Sequence, residues 1–207
     1  MARGTRTAMA AQQTFGRLLE PTTRGFVPTP DLIVDLMVAK LFEGKPPSED
    51  STILDPGCGN GAFEDGILRW CSRRRVPTPR IIGVELDRER HAEATAKFAR
   101  SRSISILNED FLAPSSRRFD FVIGNPPYVP ITSLSENERA AFRVEYATAT
   151  GRFDLYLLFF EQALRLLKPG GRLVFITPEK FLYVKTAQPL RSILARVDVK
   201  EIRLVVS

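Results

Sequence analysis

Short apolar segments alternate with longer amphipathic segments along most of this chain. Apolar runs such as TILD (52–55), RIIGVEL (80–86) and FDFVIG (119–124) are typical of strands, and helical patterns lie between them. Consecutive strands that are joined through helices run parallel, and the helices then cover both faces of the sheet. The alternation therefore predicts an α/β fold with a doubly wound parallel sheet.

The remaining elements extend this pattern over most of the sequence. Helices are predicted at 29–42, 62–75, 88–100, 153–168 and 178–196, and further strands at 103–107, 172–177 and 199–206. Thr29 is the predicted N-cap of the first helix, and a break is expected near Pro189 in the last one. Residues 131–150 are interpreted as a polar loop or lid. We expect an N-terminal tail over residues 1–25 and one domain over residues 26–207.

The composition and charge limit the classes of function. Two cysteines and one histidine form no metal-binding pattern and no disulfide framework, so we predict no metal site. The net charge of +6 favours polyanionic partners, although mild basicity alone is weak support for nucleic acid. No apolar run reaches the ~20 residues of a membrane span, and the N-terminus lacks the apolar segment of a signal peptide. We therefore expect a chain with no membrane partner.

Ligand-type residues follow the predicted strands, at the sheet edge where such folds bind ligands. A glycine-rich turn containing Gly57 and Gly59 follows the first strand, and Glu85 ends the second. The glycines let a ligand approach the backbone, and the carboxylate can accept hydrogen bonds from two ribose hydroxyls. Asp110 and Phe111 follow the third strand. Together these positions predict a site for a nucleoside cofactor.

Two cofactors fit the glycine-rich turn, and a second set of residues favours one of them. GCGNGA matches the dinucleotide pattern G-x-G-x-x-A, so NAD is a real alternative. However, Asp55 immediately before the turn would repel a pyrophosphate and would hold an ammonium group. Asp110 can accept a hydrogen bond from an adenine amino group, and Phe111 can pack on the ring. This set favours S-adenosylmethionine.

The fourth strand ends in Asn125, Pro126, Pro127 and Tyr128, a corner that is both a turn and a chemical site. The Asn125 side-chain oxygen and the Pro126 carbonyl can accept from the two N–H bonds of a planar amino group, and so localise its nitrogen lone pair. Proline stiffens the corner, and Tyr128 offers a face for stacking. The corner predicts methyl transfer to a planar nitrogen without a metal or a histidine base.

The ordered motifs resemble one family over about residues 15–205. The chain is similar to the gamma class of adenine-N6 DNA methyltransferases, the TaqI-like enzymes of restriction–modification systems. The matching segments, in the order of that class, are GFVPTP, LDPGCGNGAF, GVELD, NEDFL, IGNPPYV and RFDLYLLFFEQALRLLKPGGRLVFITPEKFL. The resemblance implies a Rossmann-like S-adenosylmethionine-dependent methyltransferase sheet, with 26–207 as its catalytic domain.

The resemblance also implies roles for individual residues. Thr29, Asp55 and the backbone of Gly57 and Gly59 would hold the amino-acid end of the cofactor, and Glu85 its ribose. Asp110 would bind the adenine amino group. The adenine ring would be enclosed by Leu86, Phe111 and Phe159, although Phe159 lies on an almost wholly apolar helix and plain core packing explains it equally well.

The implied activity is transfer of a methyl group to N6 of an adenine that is flipped out of DNA. Arginine and lysine side chains would contact the phosphates, and the setting would be the cytoplasm and nucleoid of a bacterium or archaeon. The family's sheet continues past the point that corresponds to Ser207, so we expect it to be truncated before its last strand. A recognition domain is expected to be missing or to reside in a separate specificity subunit.

Three alternative functions remain, two of which are compatible with the corner and one of which its intact residues, Asn125–Tyr128, argue against. Asn-Pro-Pro-Tyr also occurs in methyltransferases that act on protein glutamine or on amino groups of RNA bases. A third alternative is a methyltransferase-like subunit that binds cofactor or DNA without catalysis. The glycine-rich turn and the preceding TP helix resemble the DNA enzymes more closely.

Overall fold

The structure is a computed structural model that describes residues 27–204. Its centre is a five-stranded sheet with the strand order β3-β2-β1-β4-β5, in which all four neighbouring pairs are parallel. The strands are β1 (Thr52–Pro56), β2 (Arg80–Val84), β3 (Ile104–Leu107), β4 (Phe119–Gly124) and β5 (Leu167–Phe175). The predicted doubly wound α/β fold is confirmed, and the predicted tail over residues 1–25 lies outside the described residues.

Helices connect the strands and cover both faces of the sheet. They are α1 (Asp31–Leu41), α2 (Ala62–Arg74), α3 (Arg88–Lys97), α4 (Glu136–Glu145), α5 (Leu155–Leu166) and α6 (Gln188–Leu194). Within β4, Phe121 and Ile123 pack in a core with α1 and α2, whereas Val122 packs in a second core with α4 and α5. Alternate strand residues therefore supply two separate cores, which is why the strands read as continuous apolar runs.

The chain reverses its direction of travel across the sheet between β1 and β4. It proceeds outward from β1 to β3, and then returns to place β4 on the other side of β1. Such a reversal opens a crevice at the carboxyl ends of the two central strands. The strands approach closely there, because a Cβ atom at Gly124 would lie only 2.9 Å from Asp55 Oδ1. The fold thus brings the residues after β1 and β4 together.

The first helix begins later than predicted. α1 starts at Asp31, and Pro30 occupies its N-cap without a side-chain capping bond. The prediction that Thr29 caps this helix is therefore wrong. The Thr29 hydroxyl instead accepts a hydrogen bond from the side chain of Asn125, which follows β4. The hydroxyl that was predicted to cap α1 therefore makes a long-range contact.

Residues 131–150 are not the predicted loop throughout, because they contain α4. Ser135 caps this helix through a capping box, in which its side chain accepts from the Glu138 backbone and the Glu138 side chain accepts from the Ser135 backbone. Phe142 buries the apolar side of the helix. The Ser-x-x-Glu spacing was therefore a readable helix signal within a strongly charged segment.

The boundary between α5 and β5 also differs from the prediction. The helix ends at Leu166, and the strand includes the Pro169-Gly170-Gly171 stretch that was expected to separate the two elements. Leu167 pairs with Phe119, and a register shift follows between Phe119 and Phe121. β5 therefore starts to pair with β4 before Pro169. The register shift accommodates the additional residues of β5 between Leu167 and Arg172.

The C-terminal helix is divided near Pro189, as predicted, whereas the predicted last strand is wrong over the described residues. Short 3₁₀ helices at Glu179–Leu182 and Lys185–Ala187 precede α6, and Pro189 lies in its first turn, where its missing N–H costs little. Residues 199–204 form no strand. Within this segment Val199, Ile202 and Leu204 are 47%, 55% and 61% exposed.

Candidate active site

The glycine-rich turn between β1 and α2 is anchored to the end of β2. The backbone N–H groups of Gly57 and Cys58 both donate to the carbonyl of Val84, at 2.7 and 3.0 Å. Gly57 and Gly61 have φ values of 87° and 80°, which side-chain-bearing residues rarely adopt. The turn therefore depends on glycine and lies directly beside the residues that follow β2.

Glu85 connects this turn to the segment after β2. Its buried carboxylate accepts from the backbone N–H of Gly59 at 2.9 Å and from that of Asp87 at 2.8 Å. The Asn108 side chain donates to the carbonyls of Glu85 and Leu86, at 2.9 and 3.0 Å. A carboxylate has about four acceptor positions, so Glu85 keeps capacity for further donors. Sequence reasoning missed Asn108, since its role depends on β3 lying beside β2.

Two fully buried carboxyl groups lie beneath the turn. Asp55 at the end of β1 and Glu64 in the first turn of α2 are both 0% exposed. None of their four side-chain oxygens has a hydrogen-bond partner. Burial, followed by the charges of Glu64 and Glu85, raises the pKa of Asp55 well above its usual range. This end of the crevice is therefore suited to a cationic or hydrogen-bond-donating group.

Glu64 was not among the predicted site residues. An acidic residue in the first turn of a helix is usually an exposed partner of the helix dipole, so the sequence carried no signal for a buried one. Burial raises the pKa of Glu64 to about 7. A Cβ atom at Gly83 of β2 would lie 2.7 Å from Glu64 Oε1. The Glu64 carboxyl group therefore fits only because residue 83 is glycine.

Asp110 and Phe111 lie together after β3. Asp110 Oδ1 accepts from the backbone N–H of Leu112 at 2.9 Å, whereas Oδ2 is buried without a hydrogen-bond partner. Burial raises the pKa of Asp110 to about 6. The rings of Phe111 and Phe159 lie with their centroids 4.9 Å apart, at 45° to each other. An unsatisfied buried acceptor beside two aromatic rings fits an amino-bearing planar base.

The Asn-Pro-Pro-Tyr corner is held by contacts on both sides of its amide. Asn125 Nδ2 donates to the Val27 carbonyl at 3.0 Å and to the Thr29 hydroxyl at 3.1 Å. Asn125 Oδ1 accepts from the Tyr128 hydroxyl at 2.6 Å. The amide orientation is therefore fixed by its own donors, and its oxygen points toward the tyrosine side of the corner.

The corner and the glycine-rich turn meet. A Cβ atom at Gly57 would lie 3.8 Å from the Phe159 ring and 3.9 Å from Pro127 Cδ. Pro126 is buried, and Tyr128 packs edge-to-face on Tyr156 with centroids 6.4 Å apart. Burial raises the pKa of Tyr128 to about 12. The residues after β1 and β4 thus lie next to each other.

Residues 27–204 contain no group of three or more histidine, cysteine, aspartate or glutamate side chains arranged to hold a metal ion. In the same range, no helix has the length and apolar character to cross a membrane.

The sheet order and the strand-end site define the class of the protein. It has the Rossmann-like fold of S-adenosylmethionine-dependent methyltransferases. One solved example of this fold is the methyltransferase subunit of a type I restriction-modification system from Streptococcus thermophilus. It superposes with a TM-score of 0.67 at 20% identity, over 94% of this chain and 44% of that one.

Sequence comparison identifies the family. Residues 78–205 match the family model described as Eco57I restriction-modification methylase, and the chain belongs to this family. Modification methylase CviBIII of Paramecium bursaria Chlorella virus NC1A is 34% identical over 72% of this chain. Type II methyltransferase M.TthHB8I of Thermus thermophilus is 32% identical over 83% of it. The chain spans 36% and 39% of the lengths of these two relatives.

Proposed function

We propose that this chain transfers a methyl group from S-adenosylmethionine to the exocyclic N6 of an adenine in DNA, within a restriction–modification or related system. The observation that carries the proposal is the contact between the glycine-rich turn and the Asn-Pro-Pro-Tyr corner, in which Gly57 faces Pro127. A methyl donor held at the turn and an acceptor nitrogen held at the corner would be neighbours. Proximity of this kind accounts for much of the rate of a group transfer.

The cofactor end of the proposal rests on the unsatisfied acceptors. S-adenosylmethionine supplies an activated methyl group and carries an ammonium, a ribose and an adenine. Asp55, with the turn at Gly57 and Gly59, would hold the ammonium end of the cofactor. Thr29, which contacts Asn125, would help to hold the same end. Glu85 would accept from the ribose hydroxyls.

The adenine end of the cofactor is assigned to the residues after β2 and β3. Asp110 Oδ2 would accept from the adenine amino group, because this buried oxygen has no partner. The tilted rings of Phe111 and Phe159 would enclose the base, together with Leu86. These groups offer a hydrogen-bond acceptor and apolar surfaces. They offer no cation that would bind a phosphate, which agrees with a cofactor that carries none.

The catalytic end of the proposal rests on two oxygen acceptors. Asn125 Oδ1 and the Pro126 carbonyl would accept from the two N–H bonds of the target amino group, and so direct its lone pair to the methyl group. The Tyr128 hydroxyl uses one acceptor position of Asn125 Oδ1, and an amide oxygen has two. The rigid corner limits the reorganisation that the transition state requires.

DNA is the proposed partner. A base within a duplex cannot reach this crevice, so the target adenine would be flipped out at a cost of a few kcal/mol. Arginine and lysine side chains would contact the phosphates, as the net charge of +6 favours. Sequence recognition would come from a further domain or a specificity subunit, which agrees with the greater length of the relatives.

The decisive experiment compares the wild-type chain with Asn125→Ala. DNA is incubated with tritiated S-adenosylmethionine, and its nucleosides are digested and identified by mass spectrometry. We expect N6-methyldeoxyadenosine from the wild type and none from the variant, with similar cofactor affinity by calorimetry. Undiminished transfer by the variant would remove the assigned role of Asn125.

Genomic DNA tests the same proposal with whatever partners the cell supplies. DNA from cells with and without the gene is compared for N6-methyldeoxyadenosine. Methylated RNA or protein glutamine, with unmodified DNA, would instead support the corresponding alternative substrate. DNA binding without turnover in the presence of all partners would support a binding subunit.

A further inference from the structure

Two carboxylates from different elements each leave one oxygen unsatisfied inside the protein. Asp110 Oδ2, after β3, and Glu138 Oε1, in the first turn of α4, are buried and have no hydrogen-bond partner. The other oxygen of each group binds backbone. Asp110 Oδ1 accepts from Leu112 N–H, and Glu138 Oε2 accepts from Ser135 N–H. Each carboxylate is therefore fixed by one oxygen and presents the second inward.

The helix α4 that carries Glu138 contacts the turn after β3 that carries Asp110. The Tyr146 hydroxyl, at the end of α4, donates to the Leu112 carbonyl at 2.6 Å. Phe142 of α4 packs in the same core as Phe111 and Leu112. The charge of Glu138 also contributes to the raised pKa of Asp110, after the larger effect of burial. The helix is therefore packed against the proposed adenine-binding residues.

Two unsatisfied acceptors in one buried region call for a ligand that offers two donors. Buried polar atoms without partners are rare in native proteins and commonly mark a binding site. An exocyclic amino group has two N–H bonds, and Asp110 can accept only one of them through Oδ2. A second acceptor from another direction would complete its hydrogen bonding.

We propose that Glu138 is the second acceptor for the amino group of the cofactor's adenine, so that α4 forms part of the cofactor site and selects a 6-aminopurine. This inference rests on the proposed function, because it uses the assignment of Asp110 to the same amino group. A 6-oxopurine would place a carbonyl oxygen against two carboxylates and would be rejected. A site built to bind N–H groups discriminates strongly against ligands that lack them.

A binding series on the unmodified chain tests the proposal without any substitution. Calorimetry measures Kd for S-adenosylhomocysteine, for its N6-methyl derivative, which has one amino N–H, and for S-inosylhomocysteine, which has none. We expect the N6-methyl derivative to bind roughly 10-fold more weakly than the parent, and the 6-oxo compound more weakly still. Equal affinity of the parent and the N6-methyl derivative would overturn the role of Glu138.

Glu138→Gln tests the residue itself. Glutamine can still accept the Ser135 N–H, so the capping box is preserved while the inward oxygen is exchanged for an NH₂ donor. We expect affinity for S-adenosylhomocysteine to fall roughly 10-fold and the preference over S-inosylhomocysteine to narrow. Glu136→Gln is the matched control, because Glu136 is exposed in the same turn.

The outcomes separate this inference from the proposed function. An unchanged 6-amino preference in Glu138→Gln would overturn the inference while leaving the cofactor assignment in place. Failure of the unmodified chain to bind S-adenosylhomocysteine at all would overturn both. Should Glu138→Gln not fold, the series on the unmodified chain decides.

Discussion

Replacement of Glu64 by glutamine should stabilise the protein at alkaline pH. Burial raises the pKa of Glu64 from 4.5 to about 7, and the Asp65 charge adds a smaller increase, whereas the Glu64 backbone N–H and the Lys97 charge oppose it. The native state therefore binds the Glu64 proton more tightly than the unfolded state. A group of this kind contributes a stability that falls as the pH rises from 4.5 through about 7.

The size of the effect follows from the difference in pKa. Each pKa unit corresponds to about 1.4 kcal/mol, so the ionisation of Glu64 should cost the native state about 3 kcal/mol over the whole interval. Most of this change, about 2–3 kcal/mol, falls between pH 5 and pH 8.5. Glu64→Gln removes the ionisation and should therefore gain this amount relative to wild type. Asp55 acts in the same direction, because the charge of Glu64 helps to raise its pKa.

Urea unfolding at pH 5 and pH 8.5, at matched ionic strength, measures the difference. Glu89→Gln is the control, because Glu89 is an exposed acid in the first turn of α3. We expect the free energy of unfolding of Glu89→Gln to differ from that of wild type by the same small amount at both pH values. If Glu64→Gln also shows no pH dependence relative to wild type, the pKa of Glu64 is the same in the folded and unfolded states, and burial does not raise it.

Two further substitutions test the corner and the crevice. Tyr128→Phe should lower the free energy of unfolding by about 1 kcal/mol, since it removes the hydroxyl that donates to Asn125 at 2.6 Å and to the Ile176 carbonyl at 3.3 Å. Tyr183→Phe, at a 68% exposed tyrosine, should not, and equal effects would contradict the role of the Tyr128 hydroxyl. Gly124→Ala should destabilise by about 1–3 kcal/mol, since its Cβ would lie 2.9 Å from Asp55 Oδ1. A thermal melt unchanged by Gly124→Ala would show that the Asp55 side chain can move aside without cost.

The central strands could be predicted because they are buried on both faces. In β4, Phe121 and Val122 enter different cores, so the strand is apolar apart from Asp120 and is visible in the sequence. The boundaries of β5 could not be predicted in the same way. Pro169 and the following glycines are strong local stop signals, but pairing of Leu167 with Phe119 begins the strand before them. The start of β5 is therefore set by its pairing with β4, a strand that is distant in sequence.

The candidate site was predictable where its residues follow strands directly. Asp55, Asp110 and Asn125 occupy such positions, and parallel topology brings strand ends to one edge. Glu64 and Glu138 were invisible by the same reasoning, because acidic residues in the first turn of a helix are ordinary. Their burial depends on space left by other elements, such as the missing side chain at Gly83 in β2.

The contacts of Asn125 Nδ2 with Val27 and Thr29 constrain how this domain can be rearranged. The Asn125 amide after β4 is oriented by hydrogen bonds to a segment that lies almost a hundred residues earlier in the sequence. A circular permutant opened between residues 27 and 31, or a fusion that pulls this segment away, would keep every strand and yet release the amide. Junctions for engineered variants therefore belong outside residues 27–31.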